Sequence, residues 1–63
     1  EPSSREIIYE VTTIGTSSKV VAVDMVTGIE AAGVGPSNAI PSLRQLALKK
    51  LVLLLAKKDK LNS

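Results

Sequence analysis

Hydrophobic and polar positions alternate through the first half of this chain, and residues 43–55 are mostly hydrophobic. Three segments rich in β-branched residues are typical of strands, namely residues 6–14, 19–24 and 29–34. Small and polar residues separate them at positions 15–18 and 25–28, as expected of turns. A helix is predicted from Ala39 or Pro41 to about Lys58. The pattern therefore predicts one α+β domain with three strands followed by a helix.

The connections between the strands are too short for parallel crossovers, so the strands should form an antiparallel meander in the order 1-2-3. With four-residue turns, Ile14 faces Lys19, Asp24 faces Ile29, and Gly28 adopts a positive φ. The helix should begin after an N-cap at Ser37 or Asn38. Side-chain alternation then assigns one apolar face of the sheet to the helix: Ile7, Tyr9, Val11, Val20, Ala22, Ile29, Ala31 and Gly33.

The helix carries more apolar surface than one sheet face can cover. Leu43, Ala47, Leu51 and Leu54 form one predicted stripe, and a second stripe is rotated around the helix from it. The second face of the sheet is also too apolar for an ordinary solvated face. Uncovered apolar surface of this kind predicts self-association, most simply as a two-fold homodimer. The candidate interface residues are Ile14, Val21 and Val23 on the sheet, and Leu48, Val52 and Leu55 on the helix.

Length and composition support the same interpretation. Sixty-three residues make one small domain with a marginal core, in which residues 1–4 and 60–63 should be loose. The sequence has no Cys and no His, and Tyr9 is its only aromatic residue, so a disulfide and a thiolate metal site are excluded. We expect no cofactor and no enzymatic activity. Among the usual ways to stabilise a small domain, oligomerisation is the one that remains.

Charge divides the chain into an acidic and a basic part. Residues 1–36 hold five acidic and two basic side chains, whereas residues 37–63 hold six basic and one acidic. Lys57, Lys58 and Lys60 lie near the predicted helix end, where the helix dipole favours cations. They are also candidate contacts for an anion. The alternative function is therefore weak binding of nucleic acid or another anionic surface.

Two further patterns resemble reactive sites but favour structural interpretations. Glu10 and Glu30 are predicted to flank Val23 on one sheet face, where paired carboxylates could do acid–base work, but charged edge strands are common. Residues 33–38 could present N–H groups to a phosphate at the helix start, although Pro36 removes one donor. The apolar run at residues 51–56 is too short to span a membrane, so we expect a cytoplasmic protein.

Several short motifs resemble those of a family of short bacterial proteins of unknown function, found mostly in alphaproteobacteria. The motifs are Gly15 and residues 19–24, 27–30, 34–36, 47–51 and 55–58. The resemblance covers about residues 5–58 and implies no activity, cofactor or functional residue. The chain departs from the family pattern at Met25-Val26 in the second turn and at Ile40-Pro41 near the helix start.

Overall fold

The computed structural model describes residues 6–61, with side chains for residues 6–58. Strands β1 (Ile7–Ile14), β2 (Ser17–Asp24) and β3 (Glu30–Pro36) form one antiparallel sheet in the order β1-β2-β3. A 3₁₀ turn (Ser37–Ala39) leads into the helix α1 (Ile40–Leu61), which packs on the sheet and runs past the predicted end at Lys58. The α+β class and the strand order are confirmed. The predicted loose residues 1–4, 62 and 63 lie outside the described part of the chain.

The first hairpin is tighter than the sequence suggested. Ile14 pairs with Ser17, so the turn contains only Gly15 and Thr16, and the predicted pairing of Ile14 with Lys19 is wrong. Gly15 has a φ of 61° and Thr16 has no positive φ, which is the pattern of a type II′ turn with glycine first. Ser18 belongs to β2, where its hydroxyl is buried and lies 2.8 Å from the Thr13 hydroxyl. Because the register differs by two residues, every side chain keeps its predicted face.

The second hairpin has the predicted register and turn. The Asp24 N–H donates to the Ile29 carbonyl at 2.9 Å, and Gly28 has a φ of 78°. The buried Asp24 carboxylate organises the turn, since its Oδ2 accepts hydrogen bonds from the Thr27 N–H (3.2 Å) and hydroxyl (2.7 Å). The Thr27 hydroxyl oxygen in turn accepts from the Ile29 N–H at 3.2 Å. Asp24 therefore has a structural role in the turn.

The core lies between α1 and the two strands β2 and β3. Its buried hydrophobic residues are Val20, Ala22, Ala31, Leu43, Ala47, Leu51 and Leu55. The four helical members are spaced by four residues and form one ridge, which is inclined to the helix axis and so crosses the twisted sheet. A side chain at Gly33 would place its Cβ 2.8 Å from the Leu43 carbonyl oxygen, so the missing side chain lets the helix backbone approach β3. The predicted sheet face is confirmed, except that Val11 stays exposed.

The predicted helix stripes were wrong at two adjacent positions. Leu54, assigned to the core stripe, is 42% exposed, whereas Leu55, assigned to the candidate interface, is 6% exposed and belongs to the core. Over residues 43–55, apolar residues occur on nearly every side of the helix, so the sequence does not indicate strongly which side faces the sheet. The inclined ridge, which steps by four residues throughout, selects Leu55 instead of Leu54.

The helix start also differs from the prediction. Ser37 and Asn38 lie inside the 3₁₀ turn, and the residue before that turn is Pro36, which makes no side-chain cap hydrogen bond. Ser37 instead uses its N–H to donate to the Thr16 carbonyl at 2.9 Å, which ties the turn to the first hairpin. Pro41 is the second residue of α1, where its missing N–H has no intrahelical partner to lose. The predicted N-cap at Ser37 or Asn38 is therefore wrong.

Candidate interaction surface

The outer edge of β3 presents backbone groups that its own sheet does not use. Residues of an antiparallel pair alternate between hydrogen-bonded and non-hydrogen-bonded positions. Two hydrogen bonds show which residues of β3 occupy the hydrogen-bonded positions. The Asp24 N–H donates to the Ile29 carbonyl, and the Ser37 N–H donates to the Thr16 carbonyl. Ala31 and Gly33 direct their N–H and C=O groups to β2. Glu30, Ala32 and Val34 direct theirs outward, because β3 is an edge strand.

One of these outward groups is met by a side chain from the helix. The Lys50 Nζ donates a hydrogen bond to the Ala32 carbonyl at 3.1 Å, in an exposed position. A hydrogen bond that replaces one to water contributes only about 0.5–1.5 kcal/mol. A stronger or better placed donor could therefore displace the lysine from this carbonyl.

A groove lies between this edge of β3 and the neighbouring flank of α1. Its volume is about 690 Å³, and its lining is apolar apart from two lysine side chains: Ala31, Ala32, Lys50, Leu53, Leu54, Ala56 and Lys57. Leu53 is 61% exposed, and Leu46, one helical turn before Lys50, is 40% exposed. Leu46 also lies beside Gly33 of β3. We call Leu46, Leu53 and Leu54 the helix flank.

The sheet residues of the predicted interface lie on the open face, opposite the helix. Ile14 is 79% exposed at the end of β1, while Val21 and Val23 are half-buried on the central strand. Val21 pairs with Glu10 on one side and Ala32 on the other, whereas Val23 pairs with Ile8 and Glu30. The structure thus brings Val21 and Val23 together, but Ile14 lies at the far end of the sheet.

The helix residues of the predicted interface do not share one exposed surface. Leu48 is half-buried and lines a shallow pocket near β1 with Tyr9 and Arg44. The Arg44 guanidinium lies over the Tyr9 ring, 4.6 Å from its centroid, and covers part of this side of the helix. Val52 is exposed, and Leu55 is in the core. Three other leucines of α1, those of the helix flank on the side of β3, are each at least 40% exposed.

The structure separates the two carboxylates and engages one N–H of the helix-start turn. Glu10 and Glu30 are exposed and flank different residues of β2, because the first hairpin is shifted from the predicted register. The Ser37 N–H, one of the predicted anion donors, already donates to Thr16. Among the described residues, no cluster of acidic side chains could hold a metal ion. Within residues 6–61, no helix has the length and hydropathy of a membrane span.

The lysines near the helix end are spread around α1. Lys57 lines the groove and Lys58 is exposed about 100° further round, while the side chain of Lys60 lies outside the described part of the chain. Lys49 is exposed about half a turn away from Lys58. The described lysines therefore do not form one concentrated basic face.

A family model described as a domain of unknown function, DUF6898, matches residues 4–58. The chain belongs to the DUF6898 family. No curated protein and no solved structure matches it. The predicted resemblance to a family of unknown function is confirmed by this match, and the family supplies no functional residues to transfer.

Sequence reasoning missed the surface formed by β3 and the helix flank. The signal was present in two parts: β3 is the last strand of a meander and must be an edge, and Leu53-Leu54 exceed what one core stripe can use. Joining the parts requires knowing which side of α1 faces that edge. The ridge Leu43, Ala47, Leu51 and Leu55 decides this, and it becomes evident only in the fold.

Proposed function

We propose that this DUF6898 protein is a self-associating, non-enzymatic interaction module whose partner is a second copy of itself. The observation that carries the proposal is the helix flank, where Leu46, Leu53 and Leu54 are each at least 40% exposed along one side of α1. Exposed apolar surface beside an unpaired strand edge is typical of an interaction site. Burying a leucine side chain fully contributes about 1.5–3 kcal/mol.

The acidic side chains Glu10, Asp24 and Glu30 give no support for catalysis. Glu10 and Glu30 are exposed and separated, and the buried Asp24 is hydrogen-bonded to Thr27 within a turn. Oligomerisation would also supply the stabilisation that a 63-residue chain without Cys lacks. The cytoplasm stays the predicted compartment. Weak binding of an anionic surface through Lys57, Lys58 and Lys60 stays a prediction as well.

Light scattering during size-exclusion chromatography tests the proposal with a matched pair of variants. At tens of micromolar, the parent protein should have twice the 6.6 kDa mass of one chain. Leu53→Glu should be monomeric, because two charges would be buried in the contact. Val26→Glu is the control, since Val26 is at least as exposed as Leu53 but lies in the second turn, and this variant should stay dimeric.

Circular dichroism must show that both variants remain folded, which is expected because neither parent side chain is buried. A parent protein that stays monomeric up to about several hundred micromolar would refute self-association. A dimeric Leu53→Glu variant would show that the helix flank is not the contact.

A further inference from the structure

We propose that two copies join through their β3 strands, antiparallel across a two-fold axis, so that one continuous sheet runs through the dimer. The inference rests on the proposed self-association and names its geometry. Both α1 helices then lie side by side on the same face of the joined sheet. The occupant of the groove is the β3 strand and helix flank of a second copy.

The backbone of β3 determines the register of this pairing. Its outward-facing residues are Glu30, Ala32 and Val34, and a two-fold axis requires antiparallel strands. Only a register centred on Ala32 uses all three residues. In this register, Ala32 pairs with Ala32 of the second copy, and Glu30 pairs with Val34 of the second copy. In this register the Glu30 carboxylates do not face each other, so the pairing avoids a like-charge contact. Residues 30–35 contain no proline that would block the edge.

The position of the helix makes the two copies complementary. Because α1 packs on both β2 and β3, its axis lies near the line between them. Neighbouring strands are about 4.8 Å apart. The line midway between β2 and β3 therefore lies about 5 Å from a two-fold axis placed midway between the two paired β3 strands. The two helix axes would therefore be about 10 Å apart, which is the upper end of the usual range for packed helices.

The helix flank then meets itself in a specific way. The Lys50 ammonium reaches the Ala32 carbonyl, to which it donates its hydrogen bond, and Leu46 and Leu54 lie about one turn to either side of Lys50. A two-fold axis at Ala32 therefore places Leu46 of one copy against Leu54 of the other. Lys50 must release the Ala32 carbonyl, and its long stem allows its ammonium group to reach solvent beside the leucines.

The opposite edge of the sheet lacks this combination. The outward positions of β1 include Tyr9 and Val11, and the adjacent pocket is lined by Tyr9, Pro41, Arg44, Gln45 and Leu48.

A standard dimer buries about 800 Å² on each partner, roughly a fifth of the 4471 Å² surface of this chain. The edge of β3 borders one groove with Leu53 and Leu54, and Leu46 lies beside Gly33 of the same strand, so both elements can contribute to such a contact.

Amide hydrogen exchange followed by NMR tests the pairing without any mutation. In the dimer, the amides of Glu30, Ala32 and Val34 should exchange at least about tenfold more slowly than those of Tyr9 and Val11, which point outward from the other edge. Dilution below the dissociation constant should remove this difference. Equally fast exchange at both edges of a dimeric sample would overturn the inference.

A pair of proline variants locates the contact. Ala32→Pro removes an outward N–H from β3, and Val11→Pro removes one from β1, so neither change breaks a bond to β2. The inference predicts that Ala32→Pro is monomeric and Val11→Pro is dimeric, with both folded by circular dichroism. If Ala32→Pro unfolds, the amide exchange of the parent protein decides.

The outcomes separate the two proposals. A parent dimer in which both proline variants remain dimeric would overturn strand pairing but leave self-association intact, with contact through the open face at Val21 and Val23. A second result concerns a parent dimer in which the outward amides of β3 become protected only after an unrelated acidic peptide is added. That result would likewise overturn the pairing of copies. A monomeric parent would overturn both proposals.

Discussion

The Lys50 ammonium donates a hydrogen bond to the Ala32 carbonyl at 3.1 Å, so a helix side chain covers the edge strand at the centre of the proposed contact. Lysine at a strand edge generally opposes edge-to-edge pairing. In this protein the bond is exposed, and the leucines on either side of it favour association. Lys50 should therefore weaken a dimer that Leu46 and Leu54 stabilise.

Replacing this lysine should strengthen self-association. Lys50→Met keeps most of the apolar stem but removes the donor that competes for the Ala32 carbonyl, so the dissociation constant should fall severalfold, on the scale of about 0.5–1.5 kcal/mol for one hydrogen bond. Lys49→Met is the control, because Lys49 is exposed and does not line the groove. Sedimentation equilibrium gives both constants. Weaker association of Lys50→Met would contradict the proposed geometry.

Leu51→Ala should be among the most destabilising single substitutions in the chain. Leu51 is fully buried in the core, and truncating such a leucine costs about 2–5 kcal/mol. Val52→Ala provides the comparison, since Val52 is 52% exposed and should cost much less. Urea unfolding monitored by circular dichroism measures both changes. Similar stabilities for the two variants would show that the helix face is wrongly assigned.

The two hairpin glycines should be comparably intolerant of substitution. The four-residue first turn that the sequence predicts would make Gly15 more tolerant than Gly28, because several small or polar residues would share the turn. The structure gives Gly15 a φ of 61° and Gly28 a φ of 78°. Valine strongly disfavours both conformations, at a cost of about 1–2 kcal/mol or more. Thermal unfolding of Gly15→Val and Gly28→Val measures the costs, and a neutral Gly15→Val would argue against the two-residue turn.

Binding to nucleic acid, if measured, should be weak, independent of sequence and abolished by moderate salt. Lys57, Lys58 and Lys60 would carry it, and the described lysines do not form one basic face. Each phosphate contact on duplex DNA contributes a slope of about −0.9 in a log–log plot of affinity against salt. Fluorescence anisotropy with duplexes of different sequence measures this slope. Sub-micromolar, sequence-specific binding at physiological salt would make nucleic-acid recognition the leading function.

The fold was predictable from local features that tolerate small errors. Although the first turn was drawn two residues too long, the assignment of Val20 and Ala22 to the helix face survived, because side chains alternate with a period of two. The second register was right because Asp24 and Gly28 specify that turn directly.

The interaction surface was only partly predictable. Apolar residues lie on nearly every side of the helix over residues 43–55, so the sequence does not determine its rotation, and Leu54 and Leu55 exchanged roles between prediction and structure. The short Gly15-Thr16 turn was missed because Ser17 and Ser18 are typical turn residues, whereas tertiary structure buries Ser18 beside Thr13. The helix flank depends on how α1 crosses β3, which no local pattern specifies.

Sedimentation equilibrium of the parent protein, from about one to several hundred micromolar, a span in which weak and moderate dimers dissociate, tests the central claim most directly. The account predicts a reversible equilibrium that approaches twice the 6.6 kDa of one chain as concentration rises. A mass of one chain at every concentration would contradict it.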